Sequence, residues 1–178
     1  MTVFDPTPRR VSRSRSRGRL LSLLLLLGAL VVLWLNLWAR PAWAEVYDRV
    51  NLANADFSGQ DLTDSSFTFT NLRNANLSQS NLEGVSLFGS KFRGANLEGA
   101  NLRHSTLDSA ELVGVNLNNA NLEGAFANSA QFEGATIQGA DFTDVELRDD
   151  ARAALCEIAA GTNPTTHRPT RETLQCDG

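Results

Sequence analysis

From Val50 to Asp149 the chain divides into twenty consecutive units of five residues, with no insertion or deletion. Centring each unit on its third residue gives Leu52, Phe57, Leu62, Phe67, Leu72, Leu77, Leu82, Leu87, Phe92, Leu97, Leu102, Leu107, Leu112, Leu117, Leu122, Ala127, Phe132, Ile137, Phe142 and Leu147. Only Ala127 interrupts the large apolar series. A period of five advances by about 140° on an α-helix and lands on alternate faces of a flat strand, so neither element points these residues at one core. One inward residue in five demands a turn of the backbone between units, and four such turns close a square coil. Twenty units make five coils, which at about 4.8 Å per coil form a rod roughly 24 Å long.

The flanking positions fit that geometry. The residue two before each centre is Ala in ten units, Val in four and Ser in four, small enough to lie beside a large neighbour in a narrow interior. Two residues after the centre stand Gly59, Gly84, Gly89, Gly94, Gly99, Gly114, Gly124, Gly134 and Gly139, with Asn or Asp at six more units. Those residue types tolerate the positive φ of tight corners. No proline occurs between Pro41 and Pro164, so every repeat residue keeps its main-chain donor for the adjacent coil.

Units such as A-N-L-E-G at 95–99 and A-D-F-S-G at 55–59 resemble those of pentapeptide-repeat proteins. The resemblance covers about 100 residues and implies an all-β, right-handed quadrilateral β-helix in which each unit forms one face. It implies no activity, because a fold of this kind hosts many functions.

The leader has the order of an export peptide. Arg9, Arg10, Arg13, Arg15, Arg17 and Arg19 form a basic start, 20–38 an apolar run, and Ala42-Trp43-Ala44 a small-x-small signal, which places cleavage between Ala44 and Glu45. The competing reading is an uncleaved membrane anchor, since nineteen largely apolar residues reach across a bilayer. The Arg9-Arg10 pair does not separate Sec from twin-arginine export. Residues 1–44 hold seven Arg and one acid, Asp5. Of the 16 basic and 20 acidic residues in the whole chain this leaves nine and nineteen beyond position 44, a net charge of −10. So acidic a chain has no basic patch for nucleic acid.

The domain plan is therefore a signal peptide at 1–44, a β-helix at 45–149 and a helical cap at 150–178. Asp149 or Asp150 is placed to cap a helix running to about Ala160, stopped by Gly161, with Ala151, Ala154, Leu155 and Ile158 as its apolar face. A loop from Thr162 to Pro169 leads to one more helical turn at 170–174. Cys156 and Cys176 are the two cysteines of the chain, and in an exported protein one pair reads as a disulfide. The stretches D-D-A-R-A-A-L-C at 149–156 and T-R-E-T-L-Q-C at 170–176 are similar to the tails of exported pentapeptide-repeat proteins of cyanobacterial and plastid thylakoids. That similarity implies a lumenal address, with the periplasm second.

Taking every fourth unit together assigns outward residues to faces. The face of Leu62 carries Asp61, Asp64, Glu83, Glu123, Asp141 and Asp144 against Arg103, and the face of Leu52 carries Arg73, Lys91 and Arg93 and then Glu111 and Glu133. Phe69, Phe88 and Phe126 point outward on the face of Phe67 and mark a partner surface or the seat of a terminal segment. Ala127 on that face is expected either to draw Phe126 inward or to leave a weak point in its coil. Asn76, Asn96 and Asn116, and likewise Asn81, Asn101 and Asn121, stack at coil spacing, where amides bond one another or the turn backbone.

The chemistry of an enzyme is missing. His104 and His167 are the only histidines and neither has partners at metal-ligand spacing. No phosphate loop, nucleophile elbow or dinucleotide glycine cluster occurs. No catalytic residue, cofactor or metal is expected. The resulting expectation is a non-catalytic scaffold or protein-interaction module in the thylakoid lumen or periplasm, with an unnamed protein partner and membrane contact only through an uncleaved leader. Two alternatives stand beside it. The family resemblance brings in DNA mimics that bind gyrase, although an export signal takes the chain away from gyrase's compartment. A lumenal redox-linked regulator would act through Cys156 and Cys176. Neither partner identity nor oligomeric state is legible.

Overall fold

The structure, a computed structural model, describes residues 45–176. The leader expected at 1–44, including the signal ending at Ala44, lies outside the described residues. Each repeat unit gives one residue to a parallel bridge with the residue twenty positions on, from Val46↔Ser66 and Asn51↔Asn71 to Phe126↔Glu146. The chain thus returns over itself every four units as a four-sided β-helix. Its sides are shorter than the term all-β conveys. A corner every five residues leaves a single bridge residue per unit, so no side grows into an extended strand.

The unit at 95–99 shows how the bonds are shared. Asn96 N donates to Ala75 O of the preceding coil (2.9 Å), while Leu97 N donates to Asn116 O (2.8 Å) and Gly99 N to Asn118 O (2.9 Å) of the next. Ala100 N closes the corner on Leu97 O at 3.1 Å. Gly99, the third residue of that turn, has φ +64°, the left-handed value a type II turn requires there. Corners from Arg49 to Asp144 repeat this conformation, apart from Asp64 and Ser129.

The centres from Phe57 to Leu147 are buried and form one continuous core with the small residues beside them. Leu52 departs from its expected place and is only partly buried. It lies in the first of the described coils. The repeat also begins one unit before Val50: in 45–49, Val46 bridges Ser66 and Tyr47 occupies the inward position. Tyr47 stacks on Phe67 (centroids 4.8 Å apart, 18° between planes) and meets Phe57 edge-on at 5.7 Å. An aromatic layer therefore closes the beginning of the column.

Beyond the last coil the chain continues as α1 (Asp149–Ile158), a loop, and the single turn α2 (Thr170–Thr173). Leu155, Ala159 and Leu174 join the core. The expected N-cap is corrected: the capping position is Arg148, with no side-chain bond to the helix. Asp150 Oδ1 instead accepts from Ala151 N at 3.0 Å. The apolar face of α1 is also only partly inward, since Leu155 is buried whereas Ala154 is exposed and Ile158 is 49% exposed. One helix crossing a narrow rim covers it with a single side chain. Asn163, fully buried, ties the loop down by donating from Nδ2 to Asn119 O, Ala120 O and Gly139 O at 3.2, 3.2 and 2.9 Å. Its Oδ1 accepts from Thr165 N and Thr166 N. A disulfide joins Cys156 to Cys176, with Cα atoms 5.4 Å apart.

Candidate interaction faces

On three of the four faces many of the polar side chains are bonded to one another. On the face of Phe57, Asn76 Nδ2 donates to Asp56 Oδ1, Asn96 to Asn76 and Asn116 to Asn96, at 3.1, 3.4 and 3.1 Å. Each acceptor oxygen also takes the backbone N–H two residues on, as Glu98 N gives to Asn96 Oδ1 at 3.2 Å. These columns brace the turns. Asn81 and Asn101 repeat the arrangement on the next face, beginning at Asp61. On the face of Leu52, Glu111 receives Lys91 at 3.7 Å and Arg73 at 3.9 Å.

Three of the six acids on the acidic face, Glu83, Glu123 and Asp141, are paired with arginines of the chain. Arg103 lies between Glu83 (3.6 Å) and Glu123 (3.7 Å). Arg168 from the capping loop then reaches Glu123 at 2.6 Å, Asp141 at 3.2 Å and the Thr143 hydroxyl at 2.6 Å. Asp141 is buried, and its other oxygen accepts from Thr143 N at 2.9 Å and Thr143 Oγ1 at 2.7 Å. Burial pushes the Asp141 carboxyl up, but the Thr143 bonds and the Arg168 charge outweigh it and hold the group below the ordinary carboxylate value. The hydrogen bond to Glu123 raises Arg168 above its ordinary value. The face read as an acidic surface is thus partly the seat of the C-terminal cap. Sequence reading missed Arg168 and Asn163 because both lie in an irregular loop with no period to place them.

The face of Phe67 is different. Phe69 and Phe88 are 48% and 37% exposed and meet edge to face with centroids 5.3 Å apart. Arg49 lies 5.8 Å from the Phe69 ring centroid, within cation–π range. Phe69 takes a left-handed φ of 57°, unusual for so bulky a residue. Its ring rests over Gly89, where a Cβ would fall 2.5 Å from Phe69 Cε1. A bare glycine one coil on thus makes room for the ring. Phe126 is 42% exposed but stands apart, with the Thr106 coil between its bridge position and that of Ser86. The expected inward swing of Phe126 does not occur, because Ala127 N and Phe126 O keep their ladder bonds to Glu146 O and Leu107 N. The irregularity falls on the following corner, Ser129. Arg49 escaped the sequence reading because it belongs to the unit before Val50.

His104 and His167 are exposed. The His104 ring covers Gly124 as Phe69 covers Gly89. Among the described residues no three His, Cys, Asp or Glu side chains are grouped to hold a metal ion.

A family model described as a pentapeptide repeat region matches residues 46–117, and one for eight copies of the pentapeptide repeat matches 110–149. A solved pentapeptide-repeat protein from the Arabidopsis thaliana thylakoid lumen is 46% identical, with 72% of this chain and 89% of that one covered and a TM-score of 0.70. The Arabidopsis thaliana chloroplast protein named thylakoid lumenal 15 kDa protein 1 is 60% identical over 37 residues, 21% of this chain. That match spans only 16% of the relative's length. The fluoroquinolone resistance protein QnrB1 is 21% identical, covering 62% of this chain and 81% of its own, at a TM-score of 0.28, too little likeness to bear on function. With its period, its ladder and a relative similar over nearly that relative's whole length, the chain belongs to the pentapeptide-repeat family of right-handed β-helices.

Proposed function

We propose that this protein is a non-catalytic scaffold of the thylakoid lumen that docks another protein on the face bearing Phe69 and Phe88. The observation that carries the reading is the exposed pair itself. Two rings in edge contact, held by a glycine seat and bordered by Arg49, form an apolar patch on a molecule whose other faces are lined by polar and charged side chains. Aromatic and arginine side chains are those that anchor protein interfaces. The lumenal address draws on the resemblance to thylakoid-lumen proteins, and on the leader and its cleavage before Glu45. The five-coil count and the role of the C-terminal helices as a cap belong to the same proposal, as does the absence of catalysis.

The test is to express the whole chain with an affinity tag at its C-terminus in a thylakoid-bearing host, read the mature N-terminus and identify proteins that co-purify from the lumenal fraction. A start at Glu45 and a partner lost in Phe69→Ser/Phe88→Ser are expected. Recovery of the unprocessed chain in the cytoplasm, or an unchanged set of partners in the double variant, would overturn the proposal.

A further inference from the structure

The last coil ends unevenly. On the face of Phe57, Gly139 N is taken by Ala160 O at 2.8 Å, and on the face of Leu62, Phe142 N is taken by Thr173 Oγ1 at 3.0 Å. The face of Phe67 runs straight into α1 at Asp149. The remaining side, that of Phe132, receives nothing: Phe132 N and Gly134 N make no hydrogen bond and Ala130 O accepts none among the described residues. Those three groups repeat the edge one coil earlier, where Leu112 N donates to Gln131 O, Gly114 N to Glu133 O, and Ala110 O accepts from Gln131 N. Beside this open edge lies a groove of about 390 Å³, its far wall formed by Ala151, Ala154, Leu155 and Ile158 of α1.

We propose that this groove binds an extended segment of another protein by strand addition, independently of the aromatic face. The first residue of a three-residue stretch donates its N–H to Ala130 O and accepts from Phe132 N, and the third accepts from Gly134 N, as the preceding coil does. The second side chain then points into the groove beside Leu155 and Ile158 and is a large apolar one. The third stands over Glu133, an exposed carboxylate with no ion pair among the described residues. That charge, on a chain carrying −10 beyond residue 44 (nine basic against nineteen acidic), selects a basic residue. The ligand class is therefore a polar–large apolar–basic stretch in extended form.

The probe is Ala-Asn-Leu-Arg-Gly-amide carrying fluorescein on its N-terminal amine, titrated with the purified protein and followed by anisotropy. Saturable binding is expected. N-methylation of the Asn, which removes the donor to Ala130 O, weakens it at least about fivefold, whereas N-methylation of the Leu, whose N–H points away from the edge, costs less. Ala154→Trp fills the groove and abolishes binding while circular dichroism and melting remain as in the parent. Glu133→Lys reverses the preference between this peptide and its Leu-Glu counterpart. Absence of binding, equal tolerance of both N-methyl peptides, or undiminished binding to Ala154→Trp would overturn the proposal. So would self-association of the protein that Ala154→Trp removes, since the groove would then seat a second copy.

Discussion

At the scale of residues, the corners carry the most specific energetics. Gly89 and Gly114 share a left-handed backbone, with φ of 65° and 66°, and substituting Ala at either imposes a left-handed cost of about 1–2 kcal/mol. The two sites differ in what a Cβ meets, since nothing lies within 4 Å at Gly114 whereas the Phe69 ring occupies the space at Gly89. Gly89→Ala is therefore expected to be the more destabilising of the pair in urea denaturation, and replacing Phe69 by Asn should remove the difference. Equal midpoints for the two glycine variants would show that Phe69 does not rest on its seat. The inner positions follow a different rule. Leu97 is fully buried and Leu52 only partly so. Leu97→Ala should cost about 2–5 kcal/mol and Leu52→Ala distinctly less, measured in the same way.

At the scale of elements, the cap is held by side chains reaching back onto the last coils. Asn163→Ala removes the donor to three backbone carbonyls and leaves two of them, Asn119 O and Gly139 O, unsatisfied, since Ala120 O keeps Asp141 N; this should cost about 1–3 kcal/mol and speed hydrogen exchange at Gly139. A full loss of stability equal to that of an unfolded coil would mean instead that the loop nucleates the rod. Asp141 adds a pH dependence of defined sign. Its carboxyl lies below its ordinary value of 3.8 in the folded protein, so its contribution is complete above that value and is lost as pH falls through the lower folded one. Stability of the parent should decline in acid below about pH 4, and Asp141→Asn, uncharged throughout, should show a shallower slope there. Identical slopes would place the acid sensitivity elsewhere. Asp48 and Asp56 work in the same direction at the opposite end. Hydrogen bonds from Ser66 and from the Ser58 backbone hold them below their ordinary value.

At the scale of the whole described molecule, the ladder links each coil only to its neighbours, so stability approximates a sum of coil and interface contributions. Among the described residues the first coil is bonded mainly to the coil after it, whereas Leu155, Ala159 and Leu174 pack against the last. Native-state exchange should therefore be faster for amides of the first coil, such as Leu52, than for those midway, such as Leu97, whose bonds lie between two coils. Uniform protection from one end to the other would indicate all-or-none unfolding. The asymmetry bears on function as well, because the patch of Arg49, Phe69 and Phe88 lies toward the beginning of the rod and the open edge at Phe132 toward its end.

The sequence by itself determined the repeat, the identity of the core column from Phe57 to Leu147, the corner positions and the outward placement of Phe69, Phe88 and Phe126. All of these are strictly local consequences of a period of five, repeated without error, and period is a property of sequence alone. Tertiary structure decided what no period contains. It placed Arg168 across Glu123 and Asp141, 45 and 27 residues away in the chain (168 − 123 and 168 − 141), sank Asn163 under the cap, set Tyr47 over Phe67 and left the edge at Phe132 open. Those contacts join a periodic stretch to aperiodic loops, and the ends of a solenoid are where its repeating pattern stops specifying partners.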